Sequence, residues 1–301
     1  MKKILITGSN GLLGQKLAEL LLSRPDVELL ATSRGENKLA TLFPALPFAS
    51  MDVSVQEQVE QVVSEFRPTH IIHTAAMTNV DQCETDRDGA LQLNYHAVQY
   101  LVAACEKYNV HLIHLSTDFI FDGENGPYDE EAEANPISFY GETKRLAEEA
   151  VKQATCKWAI LRTVLVYGVV HDYGRTNIVL WVRDSLRAGK HIKVVNDQFR
   201  TPTLAEDLAM GSWLAAQHDA EGIYNISGKE LLTPYDMALQ VADYFDLDKS
   251  LIEKADATTF SQTAKRPPRT GFDITKAERE LGYKPHTFAE GIRIVAEQAE
   301  V

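Results

Sequence analysis

The 301-residue chain reads as an α/β protein: a doubly wound parallel sheet with a smaller, partly interleaved C-terminal unit. Three observations predict this. Strand-like and helix-like segments alternate through the first half with short joins. The strand-like runs are almost continuously apolar, as expected where both sheet faces are covered. A glycine-spaced loop, ITGSNGLLG, joins the first apolar run to the first amphipathic one.

In chain order, KKILIT is a compact β-forming run. GLLGQKLAELLLSR carries apolar residues at helical spacing and ends before Pro25. VELLATS is strand-like again. In SVQEQVEQVVSEF, Val55, Val59, Val62, Val63 and Phe66 form a helical stripe. THIIHTAA reads as a strand, DGALQLNYHAVQYLVAACEKY as one long helix and VHLIHLST as a strand. PISFYGETKRLAEEAV is a helix and WAILRTVLVYG a strand. After about residue 168 the rhythm becomes irregular. RTNIVLWVRDSLRAGK and PYDMALQVADYF look helical, IKVV and GIYNIS look like short strands, and KRPPRTGFD is a basic, proline-rich loop. The expected division is 1–168, with parts of 200–222 packing on it, and 169–301. Trp181 has helical neighbours and is expected in a core or an interface.

Composition narrows the function. A net charge of -13 leaves no basic field for nucleic acid or an acidic membrane surface. The apolar run after Lys2 and Lys3 is too short for a signal peptide, and no stretch of membrane-spanning length follows. Cys83, Cys105 and Cys156 are widely spaced without a C-x-x-C, which fits reduced, mostly buried thiols in a cytoplasmic protein. His111 and His114 sit three apart on a predicted strand and point to opposite faces, so they do not share a metal; no metal is expected.

In ITGSNGLLG, Gly8 permits a tight turn, Gly11 lets backbone approach a pyrophosphate, and Gly14 lets helix and strand pack closely. Asn10 and Leu12 belong to the same loop. The helix N-terminus that follows would face the phosphates. This assigns dinucleotide binding to residues 1–168, a Rossmann-like unit, and leaves 169–301 for a substrate. The second strand ends in LLATSRGENK, with Ser33, Arg34 and Lys38 where an acidic residue would suit an unphosphorylated ribose. NADP is therefore favoured, with NAD left open. A solvated basic loop is the plainer reading. Asp52, ahead of Val53 at the end of the third strand, reaches the adenine or caps the next helix, where Ser54 competes.

Tyr140 and Lys144 lie four apart in one helix and so share a face. A nearby ammonium would lower a phenol's pKa and suit it to acid–base work on a carbonyl or alcohol. Alone, the spacing is weak. About twenty residues earlier, LIHLSTDFIFDG puts Ser116, Thr117 and Asp118 at the carboxyl end of a predicted strand, where ligands bind in such sheets.

With these motifs together, the chain resembles the extended short-chain dehydrogenase/reductase superfamily, and within it the dTDP-4-dehydrorhamnose reductases. The matching stretches are ILITGSNGLLG, HTAAMTNVDQCE, STDFIFDGENGPYDEEAEANPISFYGETK, LRTVLVYG, VVNDQFRTPT, IYNISG and RPPRTGFD, nearly the whole chain. The resemblance implies that Tyr140 protonates a sugar C4 carbonyl oxygen as hydride arrives from the nicotinamide. Lys144 would bind the nicotinamide ribose and tune Tyr140. Thr117, with Ser116 second, would hold the substrate oxygen. Thr74, Ala75 and Ala76 match a strand end passed closely by the cofactor. Asn94 matches a helix asparagine that is structural or relays protons. Leu165 replaces a tryptophan usual against the sugar, and Ser138 an asparagine, while Arg269-Thr270 replaces a less basic pair. A nucleotide sugar carries about two negative charges, which points to Arg200, Arg266 and Arg269 as its cations, against interdomain salt bridges. Gln198 and Thr203 are pocket or loop residues.

Three functions follow: an NADP-dependent reductase of a 4-keto nucleotide sugar, another epimerase or dehydratase of that superfamily, or a noncatalytic regulatory protein resembling the methionine adenosyltransferase beta subunit. Asp118-Phe119 disfavours dehydration, which commonly needs an Asp-Glu pair there. Dimers are common in the superfamily, and a homodimer is left open.

Overall fold

A computed structural model describes residues 1–171, 177–260 and 262–299. The strands are β1 (Lys2–Thr7), β2 (Val27–Ser33), β3 (Phe48–Ser50), β4 (His70–His73), β5 (His111–Thr117), β6 (Trp158–Thr163), β7 (Val166–Tyr167), β8 (Ile192–Val195), β9 (Thr203–Leu204), β10 (Gly222–Asn225) and β11 (Ile252–Ala255). The α-helices are α1 (Leu12–Leu22), α2 (Gln56–Phe66), α3 (Val80–Thr85), α4 (Arg87–Leu91), α5 (Ala97–Tyr108), α6 (Phe139–Lys152), α7 (Ile178–Arg187), α8 (Ala205–Gln217), α9 (Pro234–Tyr244), α10 (Thr275–Leu281) and α11 (Phe288–Ala299).

Seven strands form one parallel sheet in the order β10-β6-β5-β4-β1-β2-β3. The order reverses between β1 and β4, which opens a crevice at their carboxyl ends. Alternation sorts the side chains. Ile4 and Ile6 join a core with Leu17 of α1 and Trp213 of α8, while Leu5 joins Val59 of α2 and Leu101 of α5 on the other face. A third core packs α7, α9 and α11 against the two-stranded β8–β11 sheet.

The structure differs from the sequence reading in four places. GIYN is not part of the smaller unit: β10 pairs with β6 and carries the main sheet past residue 222, because Tyr224 and Ile226 complete its core. The long helix is interrupted by a π-helical turn, Gln92–His96, which presents Asn94. Neither Asp52 nor Ser54 caps α2. Val55 stands at that position, and the Asp52 carboxylate accepts instead from Ser54 N (2.9 Å) and Ser54 Oγ (2.6 Å). Trp181 is 37% exposed, so it is not a core residue of the monomer; α7 buries Val179, Val182 and Leu186 instead. Residues 175 and 176 of the predicted α7 segment lie outside the described residues.

Among the described residues, no helix is long and apolar enough to cross a membrane. All three cysteines are free and buried.

Candidate active site

The crevice at the reversal is a cleft of ≈ 320 Å³. Its walls come from four strand ends: Gly8, Asn10, Gly11 and Leu12 after β1, Ser33 and Arg34 at β2, Asp52 and Val53 after β3, and Thr74, Ala75 and Ala76 after β4. Met51, Leu93 and Val170 also line it and were not singled out from sequence, since isolated apolar residues carry no motif.

The cleft fits a pyrophosphate. Gly8 has φ +70°, and a Cβ there would sit 2.8 Å from the Ala75 backbone nitrogen. A Cβ on Gly14 would meet the Gly8 carbonyl at 2.3 Å, so this glycine sets how closely α1 approaches β1 rather than lining the cleft. Gly11 begins α1 with no side-chain cap, which leaves first-turn N–H groups for an anion. Asn10 does not point its amide at a ligand alone: it donates to the Glu36 carbonyl (2.9 Å) and accepts from Lys38 N (3.1 Å). It thereby orders the loop that carries Arg34. Thr74 donates to the Thr7 carbonyl at 2.7 Å and ties β4 to β1. Arg34 is 84% exposed at its side chain and 4.0 Å from Asp52.

Thr117 ends β5, the strand next to β4 in the sheet, and Tyr140 and Lys144 come from α6; all three are buried. Ser138 caps α6 by accepting from Gly141 N (3.2 Å), and α6 then sets Tyr140 and Lys144 one turn apart. The Thr117 hydroxyl donates to Asp118 Oδ1 (3.1 Å) and accepts from Phe119 N (3.2 Å). Burial pushes the Tyr140 phenol well above its ordinary range; the adjacent Thr117 hydroxyl opposes this, and Asp118 adds to it. Lys144 Nζ donates to the Leu115 carbonyl at 2.6 Å and lies 3.4 Å from His114 Nε2. Burial lowers its pKa from 10.5 to about 8. The amine is held by the Leu115 carbonyl of β5.

Other predicted roles are corrected by the packing. Ser116 is buried and donates to Glu148 Oε1 (2.6 Å) rather than standing free for a substrate oxygen. It joins a buried ion pair in which Arg162 donates to both Glu148 oxygens, at 3.0 and 2.8 Å. Asn94 takes the structural part. Its Oδ1 accepts from Met77 N, and its Nδ2 donates to the Met77 carbonyl and Thr143 Oγ1, which uses both amide hydrogens. Arg200 is buried and donates to the carbonyls of Phe199 (2.7 Å) and Pro267 (2.6 Å), with Nε 3.7 Å from Asp118. It is a strut for the proline-rich loop rather than a phosphate ligand. Asp118 is held by Thr117, Thr270 and Arg200, so it secures Thr117 and does not face a substrate; burial raises its pKa against the pull of Arg200. Arg266 is paired with Asp81. Arg269 donates only Nε, to the Gly126 carbonyl, and stacks over Phe199. Thr203 is buried and donates to the Val164 carbonyl, a loop role. Leu165 is 42% exposed with φ +35°, an unfavourable conformation for a branched side chain, at the end of β6.

The pairing of His73 with His114 was missed. They stack 5.4 Å apart between β4 and β5, and burial, with Lys144 adding, keeps both neutral. The sequence signal was slight: a histidine ends the apolar run HIIH of β4 and another lies within HLIHLST of β5.

The RmlD substrate binding domain family model matches residues 1–301. The chain belongs to this family. Among its relatives, a dTDP-4-dehydrorhamnose reductase of Aggregatibacter actinomycetemcomitans is 30% identical, covering 100% of both chains. Methionine adenosyltransferase 2 subunit beta of Mus musculus is also 30% identical, over 97% of this chain and 86% of that one. The crystal structure of a dTDP-4-dehydrorhamnose reductase from Bacillus anthracis, in complex with NADP, is 29% identical and superposes with a TM-score of 0.85 over 99% of each chain. The family fold is the sheet described above.

Proposed function

We propose that the chain is an NADPH-dependent reductase of a 4-keto nucleotide sugar, converting dTDP-4-dehydrorhamnose to dTDP-rhamnose. The carrying observation is the meeting of Thr117 and Tyr140 at the end of β5, beside a glycine-built cleft with an uncapped helix N-terminus. The names of the family relatives supply the substrate class.

Gly8, Gly11 and Leu12 would hold the pyrophosphate, with Gly14 keeping α1 close. Ser33 and Arg34 would take the ribose phosphate, Asp52 and Val53 the adenine, and Thr74, Ala75 and Ala76 the far wall. When bound, the nicotinamide supplies the hydride. Tyr140, kept protonated by burial, gives its phenolic proton to the C4 oxygen. Thr117 turns from Asp118 to donate a hydrogen bond to the same oxygen. Lys144 would leave the Leu115 carbonyl for the nicotinamide ribose. Leu165 would face the sugar, and Arg269, which uses only Nε in the protein, would meet its phosphates. We assign residues 1–168 with β9, α8 and β10 to the cofactor and the remainder to the sugar. The free, buried thiols support a cytoplasmic location. A homodimer is the proposed assembly, readable by sedimentation velocity.

The test is NADPH oxidation with a panel of 4-keto nucleotide sugars. Turnover of dTDP-4-dehydrorhamnose is expected, surviving Leu165→Ala. Tyr140→Phe should lower kcat by roughly 10²–10⁴-fold with NADPH binding retained. One observation favours a second reading: Arg200 and Arg266 are spent inside the protein. NADPH binding with no sugar turned over would sink the reductase and support a noncatalytic regulatory role.

A further inference from the structure

At the amino ends of the strands, opposite the cleft, His70 opens β4 and His111 opens β5. The parallel register aligns them. Their ring centroids are 5.1 Å apart. Asp219, in the turn between α8 and β10, reaches the same place, with Oδ1 2.8 Å from His70 Nε2. One donor atom from each of the three lies within 4.8 Å of the others. Both imidazoles are 4% exposed. Neither ring nitrogen of His111 makes a well-formed hydrogen bond, and the nearby Ala220 carbonyl offsets its burial only in part. A buried imidazole with at least one nitrogen left over is uncommon and calls for a ligand.

The geometry points to a binding site for one borderline divalent cation, of the zinc or cobalt kind, held by His70, His111 and Asp219. Two imidazoles and a carboxylate are the donor set such ions prefer, and three protein ligands leave a coordination position for water. The Asp219 side chain is 54% exposed and provides the way in. The donors sit on two core strands and a short turn, so the frame is rigid. Thr69 Oγ1, 2.8 Å from His70 Nδ1, is the kind of outer contact that orients a ligating imidazole. When the ion takes Nε2, the hydrogen that Nε2 shares with Asp219 leaves it, and Nδ1–H donates to Thr69. The opposing group is Lys2, whose Nζ is 2.7 Å from Asp219 Oδ1 and must be displaced. Glu221, which is paired with Lys157, adds a neighbouring negative charge.

The experiment uses the full chain without an affinity tag, stripped with chelator. Co²⁺ is titrated by its visible absorption and Zn²⁺ by calorimetry. One ion per chain is expected. His111→Gln and Asp219→Asn, which remove ligands outright, should each weaken binding by more than about 100-fold, beyond the effect of losing an outer contact. Lys2→Gln, which removes a competing cation, should tighten it on the order of tenfold. Melting curves and NADPH binding of each variant show whether it is folded. Absence of saturable binding in the wild type overturns the assignment. So does binding that neither His111→Gln nor Lys2→Gln changes in folded protein.

Discussion

Lys144→Met tests whether the buried amine is held for chemistry at the expense of stability. Lys144 is 4% exposed, and burial lowers its pKa from 10.5 to about 8. That drop corresponds to roughly 3 kcal/mol against the charged form in the folded protein. Methionine fills a similar volume without charge, but it leaves the Leu115 carbonyl without its donor at a cost of about 1–2 kcal/mol. The net expectation near pH 7 is a gain of about 1–2 kcal/mol, or roughly 2–3 °C in Tm for a chain of this length. The sign then follows the proton. Between about 8 and 10.5 the unfolded lysine binds a proton that the folded one does not, so wild-type stability rises with pH across this window. The advantage of methionine should therefore shrink, and vanish above it. His73 and His114 are already neutral there, and Glu148 stays ionised, so neither blurs the comparison. Thermal melts of both proteins across that pH range, with NADPH oxidation alongside, provide the assay. A variant that is less stable near pH 7, with a difference from wild type that ignores pH, would refute the reasoning. Activity should fall regardless.

Two further outcomes follow from the cleft. Gly14→Ala should destabilise by about 1–3 kcal/mol and weaken NADPH by more than about tenfold, because the new Cβ meets the Gly8 carbonyl and the Ser9 Cα, neither of which can swing away; urea melts and fluorescence titration measure both. Arg34→Ala should cost NADPH roughly tenfold and leave NADH unchanged if the exposed guanidinium takes the 2′-phosphate as proposed; a wild type that prefers NADH would remove Arg34 from the site.

Much of the architecture is local information and was therefore legible. Period-two and helical spacing of apolar residues encode each strand and helix, and the glycine spacing encodes the turn at β1. The cleft residues from Gly8 to Ala76 could be named because each follows a strand end in a parallel sheet, and that position is set by chain order. The GIYN strand was misassigned to the smaller unit because pairing with β6 spans about sixty residues, and no local pattern records a partner.

The sequence by itself determined the doubly wound class, the glycine cradle and the Tyr140–Lys144 spacing, since these depend on backbone conformation and on neighbours within one turn. Only the tertiary structure decided what the polar side chains touch. Lys144 turns to the Leu115 carbonyl, Ser116 to Glu148, Arg200 to the proline-rich loop and Asn94 to Met77. It also brought His70, His111 and Asp219 together from three distant segments. The physical reason is the same throughout. A buried polar group must find a partner, and which partner it finds depends on segments that only folding brings into reach.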